Sequence, residues 1–373
     1  MRLALRELHR RPGRFVIATA ILALISLLLI VLGGLLDGLT ASNTGAYRVQ
    51  RAQLIVYSSG AGDSLVRSRI TPDIRGSVET VAGSENVFGL GSVQVGARIP
   101  GRGPRELVPV VLFGYELPPT GLPSGTPSRD EVYADNSLQS DGVRTGMTIP
   151  LGPARSRVKV IGFLSDSRFS GQSTLWGSLA TWRAVTAANR PSERAGASVE
   201  QALIVRADSQ SPHELAARID RTTGGATHAL TIDAAIQALP GVSAQQTTFN
   251  QIIGITVAIG VLVVALFFAL ITIERIGLYG VLKAIGASSS TLFAGVVAQA
   301  LVVSLIASAI GIAAGLALDA LIPSGGSIPF VATPGRLLTS SGYVIIASLL
   351  GCAFSLRRVL NVDPAAAIGG GDG

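Results

Sequence analysis

The stretch from Ile252 to Ile273, IIGITVAIGVLVVALFFALITI, contains no Asp, Glu, Lys or Arg. About 20 consecutive apolar residues are enough for a helix to cross the hydrocarbon core of a membrane. Three further stretches without a charged residue occur at Phe15–Leu36, Thr291–Leu318 and Leu338–Leu356. The sequence therefore predicts four transmembrane helices, of which the last is the shortest.

The composition of the whole chain supports a membrane protein. Only 14% of its 373 residues are charged, whereas a soluble domain carries about 25%. The net charge is +7, but the basic residues form no stripe with interleaved aromatics and no nucleic-acid-binding motif is present. A single cysteine, Cys352, excludes an intrachain disulfide. We therefore expect the protein to lie in a lipid bilayer and not to bind nucleic acid.

Basic residues flank the uncharged stretches in a pattern that predicts topology. The flanking residues are Arg2, Arg6, Arg10, Arg11, Arg14, Arg275, Lys283, Arg357 and Arg358. Because Lys and Arg are enriched in cytoplasmic loops, both termini and the segment between the second and third spans are expected in the cytoplasm. The loop between the third and fourth spans has only Arg336. We expect a multi-pass plasma-membrane protein with both termini inside.

These stretches divide the chain into predicted segments. The first apolar run is longer than the 7–15 residues of a signal peptide, so we expect an uncleaved span. The segments are a cytoplasmic interfacial helix 1–13, transmembrane helix 14–37, an extracytoplasmic α+β domain 38–251, transmembrane helix 252–273, a cytoplasmic coupling segment 274–290, transmembrane helix 291–322, an outer loop 323–337, transmembrane helix 338–356 and a cytoplasmic tail 357–373.

The segment 38–251 is too long for a loop and mixes two patterns. Val- and Ile-rich runs at Ala52–Tyr57, Glu106–Phe113, Arg157–Phe163 and Gln201–Val205 predict strands. Helices are predicted over Thr71–Val81, where a Thr-Pro pair precedes apolar residues at helical spacing, and over Pro212–Thr222. Together with the four spans, the fold class is an integral membrane α-helical protein with a large extracytoplasmic α+β domain.

A short amphipathic pattern follows the second span. Apolar residues stand at i, i+3, i+4 and i+7, at Leu278, Val281, Leu282 and Ile285. This predicts a helix whose apolar stripe must be covered. The residues themselves leave two partners open, the membrane surface and a cytoplasmic protein.

Several kinds of chemistry lack their usual residues in this sequence. The only lysines, Lys159 and Lys283, are not followed by Ser or Thr and not preceded by Gly, so the phosphate-binding loop of ATPases is missing. The three histidines have no ligand set at metal-binding spacing. We assign no catalytic and no metal-binding residue, and expect that the chain is not an enzyme. A membrane-anchored enzyme is the least favoured alternative.

Three segments resemble one family in their order along the chain. They are LALREL at Leu3–Leu8 with Pro12-Gly13-Arg14, ERIGLYGVLKAIGA at Glu274–Ala287, and RRVLNVDPAAAI at Arg357–Ile368. Placed around one span, a large domain and three further spans, they resemble the MacB/FtsX-like, or type VII, permeases of ABC transporters. The resemblance covers both ends and all four spans, but the domain only by position and size.

The resemblance implies an assembly and a role for the cytoplasmic segment. It implies a homodimer of this chain with two copies of an ABC ATPase subunit, which bind ATP and magnesium, and no intrinsic cofactor here. The segment after the second span would be the coupling helix, and this favours a protein as its partner. The implied coupling residues are Glu274, Arg275, Leu278, Val281, Leu282, Lys283 and Ile285. Such permeases transmit ATP-driven closure to the outer domain, which is called mechanotransmission.

Within the family, the pattern looks most like the haem-efflux permeases. This implies export of a hydrophobic or amphipathic molecule, with haem as the first guess. A cleft is predicted at Tyr47, Asn250 and Gln251, although Tyr47 is also typical of an interfacial anchor. Gly311 and Gly315 form a G-x-x-x-G motif that we assign to dimer packing, although 44 glycines make a chance match common. The alternative function is an FtsX-like scaffold that activates an outer-surface enzyme and moves no solute.

Overall fold

The computed structural model describes residues 12–101, 103, 106–190, 199–207, 210–274, 277, 281, 285, 288–322 and 329–360. The chain forms two compact units. We call the first the helical unit; it comprises Met1–Asp37, Gln246–Pro323 and Phe330–Gly373. The second, the globular unit, comprises Gly38–Gln245 with Ser324–Pro329. The predicted interfacial helix, up to residue 11, and the tail from residue 361 lie outside the described residues.

The elements follow one another in an order that separates long helices from a sheet. In chain order they are α1 (Pro12–Arg48), β1 (Leu54–Ser58), α2 (Pro72–Ala82), β2 (Val87–Ala97), β3 (Val108–Tyr115), β4 (Glu131–Asp135), β5 (Thr148–Leu151), β6 (Ser156–Leu164), β7 (Ser173–Ser178), α3 (Leu179–Asn189), β8 (Ala202–Val205), α4 (Pro212–Thr222), β9 (Thr227–Thr231), α5 (Ile232–Ala238), α6 (Val242–Glu274), α7 (Ser289–Leu321) and α8 (Pro334–Leu360).

Four of the described helices are long and apolar enough to span a membrane, which confirms the predicted fold class. Their ends differ from the uncharged stretches. Helix α6 begins at Val242, before the apolar residues start at Ile252, because nothing in Ser243–Gln251 breaks a helix and Gly241, with φ +83°, ends the preceding turn. Helix α8 begins at Pro334, since Pro fits a first helical turn, and continues to Leu360 into the predicted tail.

Small residues set how closely the helices of the helical unit pack. A Cβ built on Gly260 of α6 would lie 3.6 Å from Ile25 of α1 and 3.8 Å from Ala347 of α8. A Cβ on Gly351 of α8 would lie only 2.6 Å from the carbonyl oxygen of Val261. Helix α6 is thus in contact with both α1 and α8. In a membrane, where no hydrophobic force drives helices together, such close backbone contact supplies the attraction.

The globular unit contains a sheet of four strands with helices in a ferredoxin-like order. The strands lie in the order β2-β8-β1-β9 and each neighbouring pair is antiparallel. Because α2 connects β1 to β2 and α4 connects β8 to β9, this is the β-α-β-β-α-β arrangement. Buried residues of α2 and α4, such as Val78, Leu215 and Ile219, pack on this sheet.

The strands β3 to β7 lie between β2 and β8 in the sequence, and together with β2 they form a ring of paired strands. Their order is β2-β3-β7-β4-β6-β5, and a single pairing of Ala97 with Leu151 brings β5 back to β2. The pairs β3–β7 and β4–β6 are parallel. Trp182 of α3 lies against β2 and β3, where Gly91 and Gly114 pair across the strands and have no side chains to displace it. The inserted ring has its own buried core.

The strands and helices predicted in this region are confirmed. The four Val- and Ile-rich runs lie on β1, β3, β6 and β8, and the two predicted helices are α2 and α4. Thr71 caps α2 by accepting a hydrogen bond from the amide of Ile74, which is the role expected of a Thr before the first turn.

Candidate functional site

The predicted coupling segment is described at only a few positions. Glu274 is the last residue of α6 and is exposed. Val281 and Ile285 are 59% and 75% exposed, and the amide of Ile285 donates to the carbonyl of Val281 at 3.1 Å. Arg275, Leu278, Leu282 and Lys283 lie outside the described residues. The observed bond forms one turn of helix that presents two large apolar side chains without cover.

Helix α6 also has exposed apolar side chains, but these lie within the uncharged stretch that is long enough to span a membrane. Six side chains are each more than half exposed: Ile255, Ile259, Leu262, Leu266, Leu270 and Ile273. They recur every three or four residues along the uncharged part of the helix, which is the surface expected to face lipid. Val281 and Ile285 lie beyond Glu274, where no apolar stretch of spanning length continues. Lipid hydrocarbon therefore accounts for the exposed side of α6 but not for the Val281–Ile285 turn.

The structure corrects the role expected of Tyr47. It was predicted to line a cleft, but its side chain is 1% exposed in the core of the globular unit. The hydroxyl of Tyr57 donates to the hydroxyl of Tyr47 at 2.9 Å, and the ring of Phe169 lies 5.3 Å from the Tyr47 ring. A ligand has no access to this hydroxyl, and an interfacial anchor would be exposed. The prediction ended the first span at residue 37 and placed Tyr47 just outside it, whereas helix α1 continues to Arg48.

Asn250 and Gln251, the other predicted cleft residues, are exposed on α6. They belong to the helical unit, whereas Tyr47 belongs to the globular unit. The three predicted cleft residues are therefore divided between the two units. A cleft formed by Asn250 and Gln251 stays a prediction.

Gly311 and Gly315 make a close contact within one chain. Added Cβ atoms at these positions would overlap Ser26 and Ile30 of α1, and Ile30 is fully buried. The close approach that G-x-x-x-G predicts is therefore made between α7 and α1. A role of these glycines between two protomers stays a prediction.

An ion pair at one end of the helical unit was not anticipated from the sequence. Arg336 Nε donates to Asp37 Oδ2 at 3.0 Å, and Arg336 Nη2 donates to Asp37 Oδ1. The two side chains are 19% and 28% exposed, respectively. Arg336 had been counted only as a topological charge, but it is neutralised by Asp37 of α1. No spacing rule links residues so far apart in sequence, so only the fold reveals the pair.

A cluster of charges in the globular unit was also missed. Arg75 of α2 donates to Glu79, Glu116 and Glu200, and Arg183 donates to Glu200 at 3.4 Å. Glu200 is 5% exposed, and burial raises the pKa of its carboxyl although both guanidiniums oppose the shift. Its Oε2 atom is buried without a hydrogen-bond partner among the described residues. These contacts hold α2 against the residues that follow β3 and precede β8, so the cluster stabilises the globular unit.

Comparison with known proteins finds relatives among ABC-transporter permeases. A family model for the C-terminal region of FtsX-like permeases matches residues 250–364. An uncharacterized ABC transporter permease of Mycobacterium tuberculosis strain H37Rv is 27% identical over 98% of this chain and 99% of its own length. Residues 250–364 thus form an FtsX-like permease region, and nearly the whole chain is similar to ABC-transporter permeases. The matched region contains α6, the segment after it, α7 and α8.

Other relatives of this chain have more specific names. A hemin transport system permease protein, HrtB, of Staphylococcus haemolyticus is 22% identical over 99% of both chains. The solved extracellular domain of the ABC-type transporter YknZ from Gram-positive bacteria is 13% identical, covering 48% of this chain and 99% of that domain with a TM-score of 0.32. The four apolar helices and the similarity to ABC-transporter permeases indicate a multi-pass plasma-membrane protein, and this similarity implies an ATPase partner.

Proposed function

We propose that this permease couples ATP hydrolysis by a separate ATPase subunit to export of a hydrophobic or amphipathic molecule by mechanotransmission. The observation that carries the proposal is the uncovered apolar turn at Val281 and Ile285, which lies inside the family-matched region. Either the membrane surface or a cytoplasmic protein could cover such a turn, and the match to a permease family favours the protein. The ATPase that the family implies is that protein.

The proposed assembly is a homodimer of this chain with two ATPase subunits that bind ATP and magnesium. Basic flanks favour a topology with both termini and the 274–290 segment in the cytoplasm. The globular unit then lies outside the cell. Since the sequence has no Gly-Lys-Ser/Thr loop, ATP would bind the partner alone. The permease helices must have two arrangements for ATP hydrolysis to drive transport. The closed ATPase pair must bind one of these arrangements more tightly than the other.

Haem is the cargo to test first. The support is the name of a relative that aligns over 99% of both chains, at 22% identity. Purified permease and ATPase subunits are reconstituted in liposomes, and haemin is added. Haem export predicts a haemin-dependent rise in ATPase rate and a shift of the haemin absorbance spectrum. If neither changes while basal hydrolysis is normal, haem is not the cargo, and another amphipathic cargo and the scaffold described below are the two functions left to test.

The coupling assignment is tested at the described turn. Ile285→Glu places a charge on a side chain that is 75% exposed, so insertion and folding are expected to be unaffected. Docking predicts loss of ATPase co-purification and of permease-stimulated hydrolysis, and Leu282→Glu should behave in the same way. Ile285→Val keeps an apolar side chain and should retain both. Normal complex formation by Ile285→Glu would remove the docking assignment.

The second candidate is a signalling scaffold of the FtsX type, favoured by the family model itself. It predicts an extracytoplasmic protein bound to the globular unit and no cargo. Crosslinking in intact cells followed by identification of the captured protein separates the two. An enzyme recovered with wild-type chain, whose activity requires ATP hydrolysis by the complex, would favour the scaffold over export.

A further inference from the structure

The contacts between Asp37 and Arg336 extend beyond one ion pair. Thr333 Oγ1 donates to Asp37 Oδ2 at 3.4 Å and accepts from the amide of Arg336 at 3.2 Å, so it also caps α8. The carboxylate thus receives three donors, two from the guanidinium and one from the hydroxyl. Bidentate pairing with a planar guanidinium fixes orientation as well as distance. The first turn of α8 is therefore held in one geometry against α1.

The backbone around the pair is shaped to admit these side chains. A Cβ on Gly33 would overlap the methylene stem of Arg336, and a Cβ on Gly34 would overlap the ring of Phe330. Phe330 is 7% exposed, and the amide of Val331 donates to the carbonyl of Gly34 at 3.2 Å. The segment before α8 is thus bound to α1 by backbone as well as by side chains.

Helix α7 is tied to the same segment. Asp319, in the last turn of α7, accepts a hydrogen bond from the amide of Ala332 at 3.1 Å. Leu337 and Ile30 are buried together with Phe330 in a small apolar cluster. Hydrogen bonds and apolar contacts therefore connect three parts of the helical unit: the last turn of α7, the first turn of α8 and the part of α1 around Asp37.

Helix α1 does not end at this assembly. It continues without a break from Asp37 to Arg48, and the residues after Asp37 belong to the globular unit. There its last turn is anchored, since the amide of Ala46 donates to the carbonyl of Arg168 at 3.1 Å and Gly45 lies against the backbone of Asp166. One helix thus carries both the carboxylate that holds α8 and a turn built into the globular unit.

We propose that Arg336 is a positioning residue that transmits movement of α7 and α8 to α1 through Asp37, and so to residues 38–48. The inference rests on the proposed function, since the movement is the one driven by the ATPase. The pair suits this role because a partly buried, bidentate pair resists separation more than an exposed one. A shift of α8 that keeps the pair must carry Asp37 with it.

The test measures hydrogen exchange in the intact complex of permease and ATPase, with and without ATP and vanadate. We expect a nucleotide-dependent change in exchange over residues 38–48 in the wild type. In Arg336→Gln this change should fall by roughly half or more, while ATPase binding and the nucleotide-dependent change in α6 near Glu274 remain. A merely structural role would lower exchange protection in both nucleotide states alike.

A second variant removes the cost of a lone charge. Arg336→Gln leaves Asp37 without its cation, which destabilises the helical unit, whereas the double variant Asp37→Leu/Arg336→Met removes both charges and is expected to fold normally. The proposal predicts that this stable double variant still lacks the change over residues 38–48. A normal response in the double variant, or no response in a wild-type complex that hydrolyses ATP, would overturn the proposal. A wild-type chain that binds no ATPase would instead refute the proposed function and this inference with it.

Discussion

The hydroxyl of Tyr57 donates a hydrogen bond of 2.9 Å to the hydroxyl of Tyr47, and both side chains are buried in the globular unit. Burial raises the pKa of the Tyr57 hydroxyl, and the nearby Asp63 carboxylate adds to the shift. Both phenols therefore stay protonated at physiological pH. This hydrogen bond joins the last turn of α1 to β1. It engages the Tyr47 hydroxyl, which the sequence had suggested as a ligand-binding group.

Removing one member of the pair should destabilise the globular unit. Tyr57→Phe leaves the Tyr47 hydroxyl buried without its partner, and we expect a loss of about 1–2 kcal/mol of unfolding free energy. Tyr115→Phe is the matched control, because the Tyr115 hydroxyl is buried and has no hydrogen-bond partner in the described part of the chain. Its removal should be neutral or stabilising. Thermal unfolding of the full chain in detergent ranks the two variants, and an equal loss in both would contradict the pairing.

Gly45 should tolerate no side chain although it lies in a helix. An alanine is normally favoured over glycine in a helix interior by about 1 kcal/mol, but a Cβ here would overlap the carbonyl oxygens of Asp166 and Arg168. Overpacking against backbone costs about 1–3 kcal/mol, so Gly45→Ala should be destabilising overall. Gly60→Ala is the control, since no heavy atom lies within 4 Å of its added Cβ. Unfolding temperatures that do not differ between the variants would argue against the observed docking of α1.

The glycines of α7 should differ from one another in a predictable order. A Cβ on Gly311 would meet Ser26 and the backbone nitrogen of Leu27, whereas one on Gly315 would meet only side-chain atoms of Ile30, of which the Cγ2 methyl is nearest. Gly295, in the same helix, has nothing within 4 Å. We expect Gly311→Ala to lose about 1–3 kcal/mol, Gly315→Ala less and Gly295→Ala least. Thermal unfolding in detergent tests this order, and a dimer-specific role would instead change the dissociation of the dimer without changing the stability of the protomer.

Glu200 should make stability depend on pH in the direction opposite to most carboxylates. The groups around it are Arg75 and Glu79 of α2, Glu116 after β3 and Arg183 of α3. Burial raises the pKa of Glu200 in the folded chain, so the folded state holds a proton that the unfolded state releases. The stability that this proton gives is present below the unfolded pKa, about 4.3, and is lost as pH rises through the folded pKa.

The Glu200→Gln variant isolates this contribution. Other carboxylates titrate in both proteins, so the wild-type stability minus the variant stability should decrease as the pH rises above about 4, the pKa of an unfolded glutamate. Unfolding midpoints of the full chain in detergent, measured at matched ionic strength, give this difference. Glu79→Gln is the control, because Glu79 is 29% exposed on its side chain. A difference that rises with pH would show that Arg75 and Arg183 outweigh burial.

The sequence pattern predicted those helices and strands that contain an uninterrupted or periodic run of apolar residues. Apolar runs predicted the four long helices and the strands β1, β3, β6 and β8, since burial on a large scale requires a continuous apolar pattern. The strand β2 was missed because Gly89, Gly91 and Gly96 interrupt its pattern. Only the fold explains these glycines, because the space that side chains at 89, 91 and 96 would need is occupied by Glu200, Trp182 and Leu107, respectively.

The candidate site divides in the same way. The sequence predicted an apolar turn after α6, because its spacing is local, and the described residues Val281 and Ile285 are exposed as that turn requires. It misplaced Tyr47, because hydropathy marks where the apolar stretch of α1 stops and not where the helix stops. The helix continues to Arg48 because residues 38–48 contain no proline and find partners in the globular unit.

By itself the sequence determined that the chain has four spans and a mixed α and β region, and it carried the motifs of its family. Both follow from local patterns, since the bilayer selects apolar stretches of fixed length and strands and helices have fixed periods. Only the tertiary structure decided that Arg336 pairs with Asp37, that Gly311 faces Ser26 and that Tyr47 is buried. These contacts join residues far apart in the chain, and their partners are set by which helices and strands become neighbours when the whole chain packs.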